Sequence, residues 1–266
     1  SADLSAYSTI TSAAVVLGAI FTTTVTAGTG GMLPFGVIKL IGGLTFCLGL
    51  ILVIVAGAEL FTGNTLIVMA WASGKVSWQA LLRNWGIVYV GNFIGSIGTV
   101  VLVFLGKQYT FGSGAIGTSA LTTAAAKCDL EFVQAIALGI LCNGLVCLAV
   151  WLTFSARSTG DKILAILFPI SAFVAAGFEH SVANMYFIPM GLFIKYFDED
   201  WVDTMQAARE AAGKPPLDLA NLTWGNFLID NLLPVTIGNI IGGAVLVAAI
   251  YWFVYLRHRT KPENKV

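Results

Sequence analysis

The chain has 266 residues, of which 57% are hydrophobic and only 11% charged, and its mean hydropathy is +0.85. Soluble globular domains carry about a quarter charged residues, so this composition excludes that class and predicts an all-α polytopic membrane protein. Basic and acidic residues balance at 14 each, and nothing in that balance points to a nucleic-acid partner.

The apolar runs fall at about 6–28, 35–73, 82–106, 130–155, 161–197 and 226–257. A span takes about 20 apolar residues, so they predict six transmembrane passes, with the second and fifth runs too long for one simple span. Ser1 to Thr11 show no signal-peptide pattern, and the missing initiator Met is expected of a trimmed chain. The first run ends in Thr26-Ala27-Gly28-Thr29-Gly30-Gly31, and Pro34 opens the second. From Phe35 to Ser73 the apolar pattern holds for 39 residues, interrupted by Glu59 and Thr62-Gly63-Asn64. This predicts a helix, a break near Glu59 to Asn64, and a second segment. Irregular backbone is tolerated at membrane depth only where protein buries it or where it lines a cavity.

The third run carries Gly91-Asn92-Phe93-Ile94-Gly95, and a joint is expected around Lys107 to Lys127. Leu138-Gly139 in the fourth run echoes Leu17-Gly18 at an offset of 121 residues. The fifth holds Gly177-Phe178-Glu179-His180-Ser181-Val182-Ala183-Asn184, which repeats the Gly, Glu and Asn of Gly57-Ala58-Glu59-Leu60-Phe61-Thr62-Gly63-Asn64 at an offset of 120. Gly238-Asn239-Ile240-Ile241-Gly242 in the sixth echoes the third. Three echoes in the same order divide the chain into two three-span repeats, about 6–106 and 130–257, within one transmembrane domain over 1–266. Because three is odd, the second repeat must run inverted, with the second and fifth helices broken. Such proteins bind their substrates near the bilayer midplane, where the repeats meet.

Lys75, Arg83, Arg157, Lys162, Arg257, Arg259, Lys261 and Lys265 share one side, which the positive-inside rule makes cytoplasmic together with both termini. The opposite side has an acidic loop from Asp198 to Thr223. Cys47, Cys142 and Cys147 fall in spans and Cys128 in a loop, without metal or redox spacing, so no metal or cofactor is expected. The glycines at spacings of four read as close helix packing. Trp71, Trp78, Trp85, Tyr251, Trp252 and Tyr255 read as an interfacial belt.

Ionisable groups inside a membrane are expensive and usually face a cavity or a partner. His180 stands where the first copy has Leu60, so it is the specialised residue of the pair. A lone histidine is often only a satisfied core residue, but the broken symmetry favours function. Glu59 and Glu179 recur in both copies, which suits an architectural role. Each is expected to accept hydrogen bonds from the N–H groups of its break, with Asn64 and Asn184 doing similar work.

These two motifs, with Ile188-Pro189-Met190-Gly191 and Asp230-Asn231-Leu232-Leu233-Pro234-Val235-Thr236-Ile237-Gly238-Asn239, resemble the formate/nitrite transporter family, most closely its formate channels. The resemblance covers nearly the whole chain. It implies an aquaporin-like protomer in the lipid of a bacterial-type inner membrane, a homopentamer with one pore per protomer, and passage of formate and related small monovalent anions. It places the central pore histidine on His180, the threonine of the broken second helix on Thr62, a pore-facing amide on Asn143 and an attracting lysine on Lys127. The apolar constrictions fall on Phe46, Leu50, Leu60, Phe61, Val146 and Phe173. The family's usual cytoplasmic amphipathic helix is not expected within the sequence given, which starts almost at the first span.

The chemistry fits those positions. Desolvating an isolated anion costs tens of kcal/mol on idealised arithmetic, so something must offset or neutralise its charge. Half-helices starting near the midplane offer positive ends and free N–H groups. His180 can donate a hydrogen bond to a carboxylate, or lend a proton so that formate crosses as formic acid, which would give formate/proton symport at low pH. Nitrite or hydrosulfide passage within the same family, and a neutral water or ammonia pore, are the alternatives. An enzyme is not expected, since no nucleotide loop, metal cluster or Ser/His/Asp arrangement appears.

Overall fold

The computed structural model describes residues 2–257, with side chains from residue 14 onward. Arg259, Lys261 and Lys265, and residues 1 and 258–266 of the domain, lie outside the described residues.

Ten helices follow one another, and no strand appears among the described residues. They are α1 (Ala2–Thr26), α2 (Phe35–Ala56), α3 (Phe61–Ala72), α4 (Trp78–Leu105), α5 (Ala115–Cys128), α6 (Phe132–Thr153), α7 (Thr159–Ala175), α8 (Ser181–Phe197), α9 (Glu199–Ala211) and α10 (Asn226–Leu256). Among the described residues, α2, α4, α6 and α10 are each long and apolar enough to cross a membrane. Large apolar side chains point outward from the bundle, including Ile94, Leu102, Val133 and Phe168 at 57%, 70%, 76% and 81% exposure. Such a surface is unfavourable in water and natural against lipid.

Local sequence accounts for the ends of these helices. Pro34 precedes α2, where its fixed φ and missing N–H cost nothing. Ser158 and Asp161 form a reciprocal cap on α7, and Glu131 and Gln134 do the same on α6. Gly57 and Gly177, at φ of 74° and 73°, end the first halves of the two long apolar runs in the left-handed conformation that glycine adopts freely. Long stretches of α10 are wound as π-helix, at Asn226–Leu232, Ile241–Ala249 and Trp252–Leu256.

The packing pairs α1 with α2 and α4, and α6 with α7 and α10. Its centre is α8, most of which is buried, against α1, α4, α5 and α10. Small residues make the close approaches. A Cβ on Gly238 or Gly242 would meet the carbonyls of Ile136 and Ile140, and one on Gly43 would lie 2.8 Å from the Cα of Ser171.

Two segments differ from expectation. The joint before α6 is not a simple connection, because Ala115–Cys128 forms a helix packed on α8 and buries Cys128 rather than leaving it in a loop. The acidic loop after Phe197 contains α9, capped by Asp198, which accepts a hydrogen bond from the Trp201 N–H.

Candidate functional site

The two broken helices supply the site. In the first, α2 ends at Ala56 and α3 begins at Phe61; in the second, α7 ends at Ala175 and α8 begins at Ser181. The connections are built alike. The Ala58 N–H donates to Val53 O and the Phe178 N–H to Phe173 O, each at 3.0 Å. Leu60 and His180 are both extended, at φ/ψ of −115°/123° and −116°/114°. The break in the first copy is therefore earlier than expected, since Phe61 to Asn64 already form a helical turn.

The hydrogen-bond plan of the breaks differs from the one expected of the glutamates. The exposed N–H groups are taken by asparagines on neighbouring helices: Phe61 N donates to Asn92 Oδ1 at 3.0 Å, and Ser181 N to Asn239 Oδ1 at 2.9 Å. The same amides donate back to the carbonyls of Glu59 and Glu179, at 3.3 and 3.0 Å. The glutamate carboxylates instead accept side-chain donors. Asn64 Nδ2 donates to Glu59 and, at 2.9 Å, to Asn84 Oδ1. Asn184 Nδ2 donates to Glu179 Oε2 at 2.6 Å and to Asn231 Oδ1 at 2.8 Å. A backbone N–H left bare in apolar surroundings costs several kcal/mol, and here a neutral amide satisfies it.

Asn92 and Asn239 lie within the two Gly-Asn-x-x-Gly echoes, which the sequence offered only as packing motifs. The echo itself was the signal for them. Trp85 is likewise more than an interfacial residue, for its Nε1 donates to Asn64 O at 3.0 Å.

The copies differ at Lys127. From the last turn of α5 its Nζ donates to Glu179 Oε1 at 2.7 Å, with side-chain exposures of 15% and 7%, and it lies 5.6 Å from the Phe187 ring centroid. Lys127 is thus an ion-pair partner of the second break as well as a cation beside a cavity.

At the centre, Thr62 Oγ1 and His180 Nε2 are 2.9 Å apart, both buried. The contact brings the starts of α3 and α8 together. His180 Nδ1 accepts the Ala183 N–H at 3.1 Å, capping α8. That bond makes Nδ1 an acceptor, so the neutral ring carries its proton on Nε2 and donates it to Thr62 Oγ1. Phe173 stacks beside the imidazole at a centroid distance of 6.0 Å.

Two cavities adjoin the histidine. The larger, about 480 Å³, is lined among others by Lys127, Glu179, Asn184, Phe46, Phe173 and His180. The smaller, about 10 Å³, is lined by Val15, Phe46, Leu50, Leu60, Val146, Ile170, Phe173 and His180. Phe46, Phe173 and His180 border both, the two phenyl rings meeting edge to face at 5.6 Å. Five of the six expected constriction residues therefore converge at one place. Phe61 is not among them and packs edge-on against Trp85 and Tyr89, at 6.2 and 4.9 Å. Asn143 lines neither cavity. It is fully buried and its Nδ2 lies within bonding distance of Thr62 O at 3.2 Å, Thr65 Oγ1 at 3.2 Å and Asn239 O at 2.6 Å.

A family model described as formate/nitrite transporter matches residues 2–253. The chain is similar to the formate channel FocA of Escherichia coli (strain K12), 49% identical over 240 residues that cover 90% of this chain and 81% of that protein. It is also similar to FocA of Haemophilus influenzae, 40% identical over 252 residues covering 94% of this chain and 84% of that one. Its fold is similar to a solved structure described as a pentameric formate channel with formate bound, with a TM-score of 0.84 and 45% identity over 94% of this chain and 95% of the other.

Proposed function

Because this chain belongs to the formate/nitrite transporter family, a family of transporters and not of enzymes, we propose that it is a membrane channel passing formate and related small monovalent anions, with formate/proton symport at low pH. The observation that carries the reading is the contact of His180 Nε2 with Thr62 Oγ1, where the starts of two half-helices meet between two cavities.

Physical chemistry gives each group a task. An anion entering the larger cavity meets Lys127, whose ammonium keeps N–H donors for it beyond the one given to Glu179. At Phe46 and Phe173 water is squeezed out and the cost of a bare charge rises steeply. The facing helix starts lower that cost through their N–H dipoles. His180 Nε2–H, released from Thr62, donates to the carboxylate; at low pH a ring that has also taken a proton on Nδ1, giving up the Ala183 N–H bond, transfers its Nε2 proton and is left neutral, so that the solute crosses Leu50, Leu60 and Val146 as a neutral acid. The placements of Phe61 and Asn143 favour supporting roles, Phe61 behind the break and Asn143 beneath Thr62.

The topology follows the same reading. Six passes in two inverted repeats, about 6–106 and 130–257, are supported by the matching packing of α1 on α2 and α4 and of α6 on α7 and α10, and by the paired hydrogen bonds of the breaks. The bias of Lys and Arg favours cytoplasmic termini in a bacterial inner membrane. A homopentamer is favoured by the solved relative described as pentameric, with the exposed apolar side chains shared between lipid and neighbouring protomers.

The test is formate flux into proteoliposomes at neutral and acidic pH, for this protein and its His180→Asn variant, which keeps a donor but cannot take up a proton. Loss of acid-driven uptake with persisting anion passage is expected. Identical behaviour of both proteins at both pH values refutes the role of His180, and absence of any formate-dependent current refutes an anion channel in favour of a neutral-solute pore.

A further inference from the structure

A second large cavity, about 620 Å³, lies between α5, α9 and the end of α1. It shares Thr26, Ser119, Thr122 and Thr123 with the cavity that contains Lys127. The two adjoin along these residues, between α9 and the ion pair at the second break.

Its lining is sorted by charge. The segment 198–223 carries six acids, Asp198, Glu199, Asp200, Asp203, Glu210 and Asp218, and two bases, Arg209 and Lys214. Both bases line the cavity and none of the acids does. Helical spacing explains the sorting: Trp201, Thr204, Met205, Ala208 and Ala212 recur at three- and four-residue intervals along the cavity face of α9, while its acids fall at intervening positions. Opposite them, α5 presents Thr118, Ser119, Thr122 and Thr123.

The bases are held where they stand. Arg209 donates from Nε and Nη2 to the Pro215 carbonyl at 3.2 and 2.9 Å, which orients the guanidinium without neutralising it. Gln206 exchanges two hydrogen bonds with the Leu217 backbone, each at 2.9 Å, and so fixes the turn that carries Lys214. Trp201 lies against Gly117, where any Cβ would collide with the indole, and meets Tyr109 edge-on at 5.4 Å. Tyr109 in turn donates to Asp198.

We propose that this chamber is an anion-recruiting antechamber, in which Arg209 and Lys214 concentrate small monovalent carboxylates and pass them along the hydroxyl-lined face of α5 to Lys127. The proposal rests on the channel reading above. Fields from fixed charges at a cleft mouth raise encounter rates by about 10- to 1,000-fold in strongly charged cases, and they fade over about 10 Å at 0.1 M salt. One lysine of two bases belongs at or below the low end of that range, about threefold.

The experiment is formate uptake into proteoliposomes, at formate far below saturation and in low salt, for the unmodified protein, Lys214→Gln, Lys214→Glu and Lys75→Gln. Lys75 is exposed in the connection between α3 and α4, lines none of these cavities, and its variant makes the same change of net charge as Lys214→Gln. Uptake is expected to fall about threefold for Lys214→Gln and further for Lys214→Glu, and to stay unchanged for Lys75→Gln. The differences should shrink in high salt and as formate approaches saturation. Equal uptake by the unmodified protein and Lys214→Glu in low salt, or a loss indifferent to salt, overturns the antechamber alone. An unmodified protein that takes up no formate overturns the channel reading, and the antechamber with it.

Discussion

Replacing Asn239 by leucine, close to it in volume but unable to hydrogen-bond, isolates what the neutral amide does at the second break. The side chain is fully buried and accepts from Ser181 N at 2.9 Å while donating to Gly139 O at 2.9 Å and Glu179 O at 3.0 Å. Counted only as three interhelical hydrogen bonds in a membrane, at about 0.6 kcal/mol each, the loss is about 2 kcal/mol. The substitution also leaves a donor and two acceptors buried without this partner, at about 1–3 kcal/mol per unsatisfied group. Allowing for relaxation, about 3–5 kcal/mol is expected, or at about 2–4 °C per kcal/mol a fall in Tm of roughly 6–20 °C. Thermal unfolding of purified protein reads the stability, and proteoliposome flux reads the site. Because Ser181 follows His180, formate uptake should fall even in protein that remains folded at the assay temperature. An Asn239→Leu protein with unchanged Tm and unchanged uptake would refute the assignment of this amide as the clamp of the break.

Three further outcomes follow from other contacts. Lys127→Met leaves the Glu179 carboxylate buried without its cation, and removing one member of such a pair costs about 3–5 kcal/mol; Tm should drop and low-concentration formate uptake with it, and Glu179→Gln added to the same protein should recover part of the stability. A Cβ at Gly243 would fall on Thr65 Oγ1 and Asn143 Nδ2 and within 2.8 Å of Cys147 Sγ, so Gly243→Ala should destabilise by about 1–3 kcal/mol through overpacking, measured as a lower Tm. Burial, then the hydrogen bond to Asp198 and its charge, push the Tyr109 hydroxyl up to about 12. Its folded value lies above its unfolded one, so its stabilisation is complete below pH about 10 and lost as pH rises through about 12. Tyr109→Phe should therefore lower stability by about 1–3 kcal/mol at neutral pH, and its deficit should narrow only at the alkaline end of a Tm-versus-pH series.

The two breaks were legible in the sequence because polar residues inside long apolar runs, 39 residues in the first case, have few places to go. His180 was legible because an ionisable imidazole stands where the first copy has the apolar Leu60. The partners of the break were harder to read. Spacing shows that Glu59 and Glu179 are near exposed N–H groups, but not that Asn92 and Asn239, 31 and 58 residues from the N–H groups they hold, reach them first. The helix α5 was hidden for another reason: Ala, Gly, Thr and Ser dominate it, so it shows neither a long apolar run nor a strong two-faced pattern. By contrast α9 carried readable signals, since Asp198 precedes it and Glu199 and Asp200 fill its first turn.

The bond from the Ala183 N–H to His180 Nδ1 bears on how a cell keeps its membrane energised. An imidazole open at both nitrogens can take a proton on one side and release it from the other, and a chain of water and such rings leaks protons down their gradient. Here one nitrogen is committed to the backbone, and a proton placed on it would displace that N–H. In the neutral ring Nε2 already holds the proton, so a second one enters only where the backbone bond is given up. While that bond holds, the ring donates through Nε2 and passes no proton from one side to the other, so it is a dead end for proton hopping and does not short-circuit the proton-motive force.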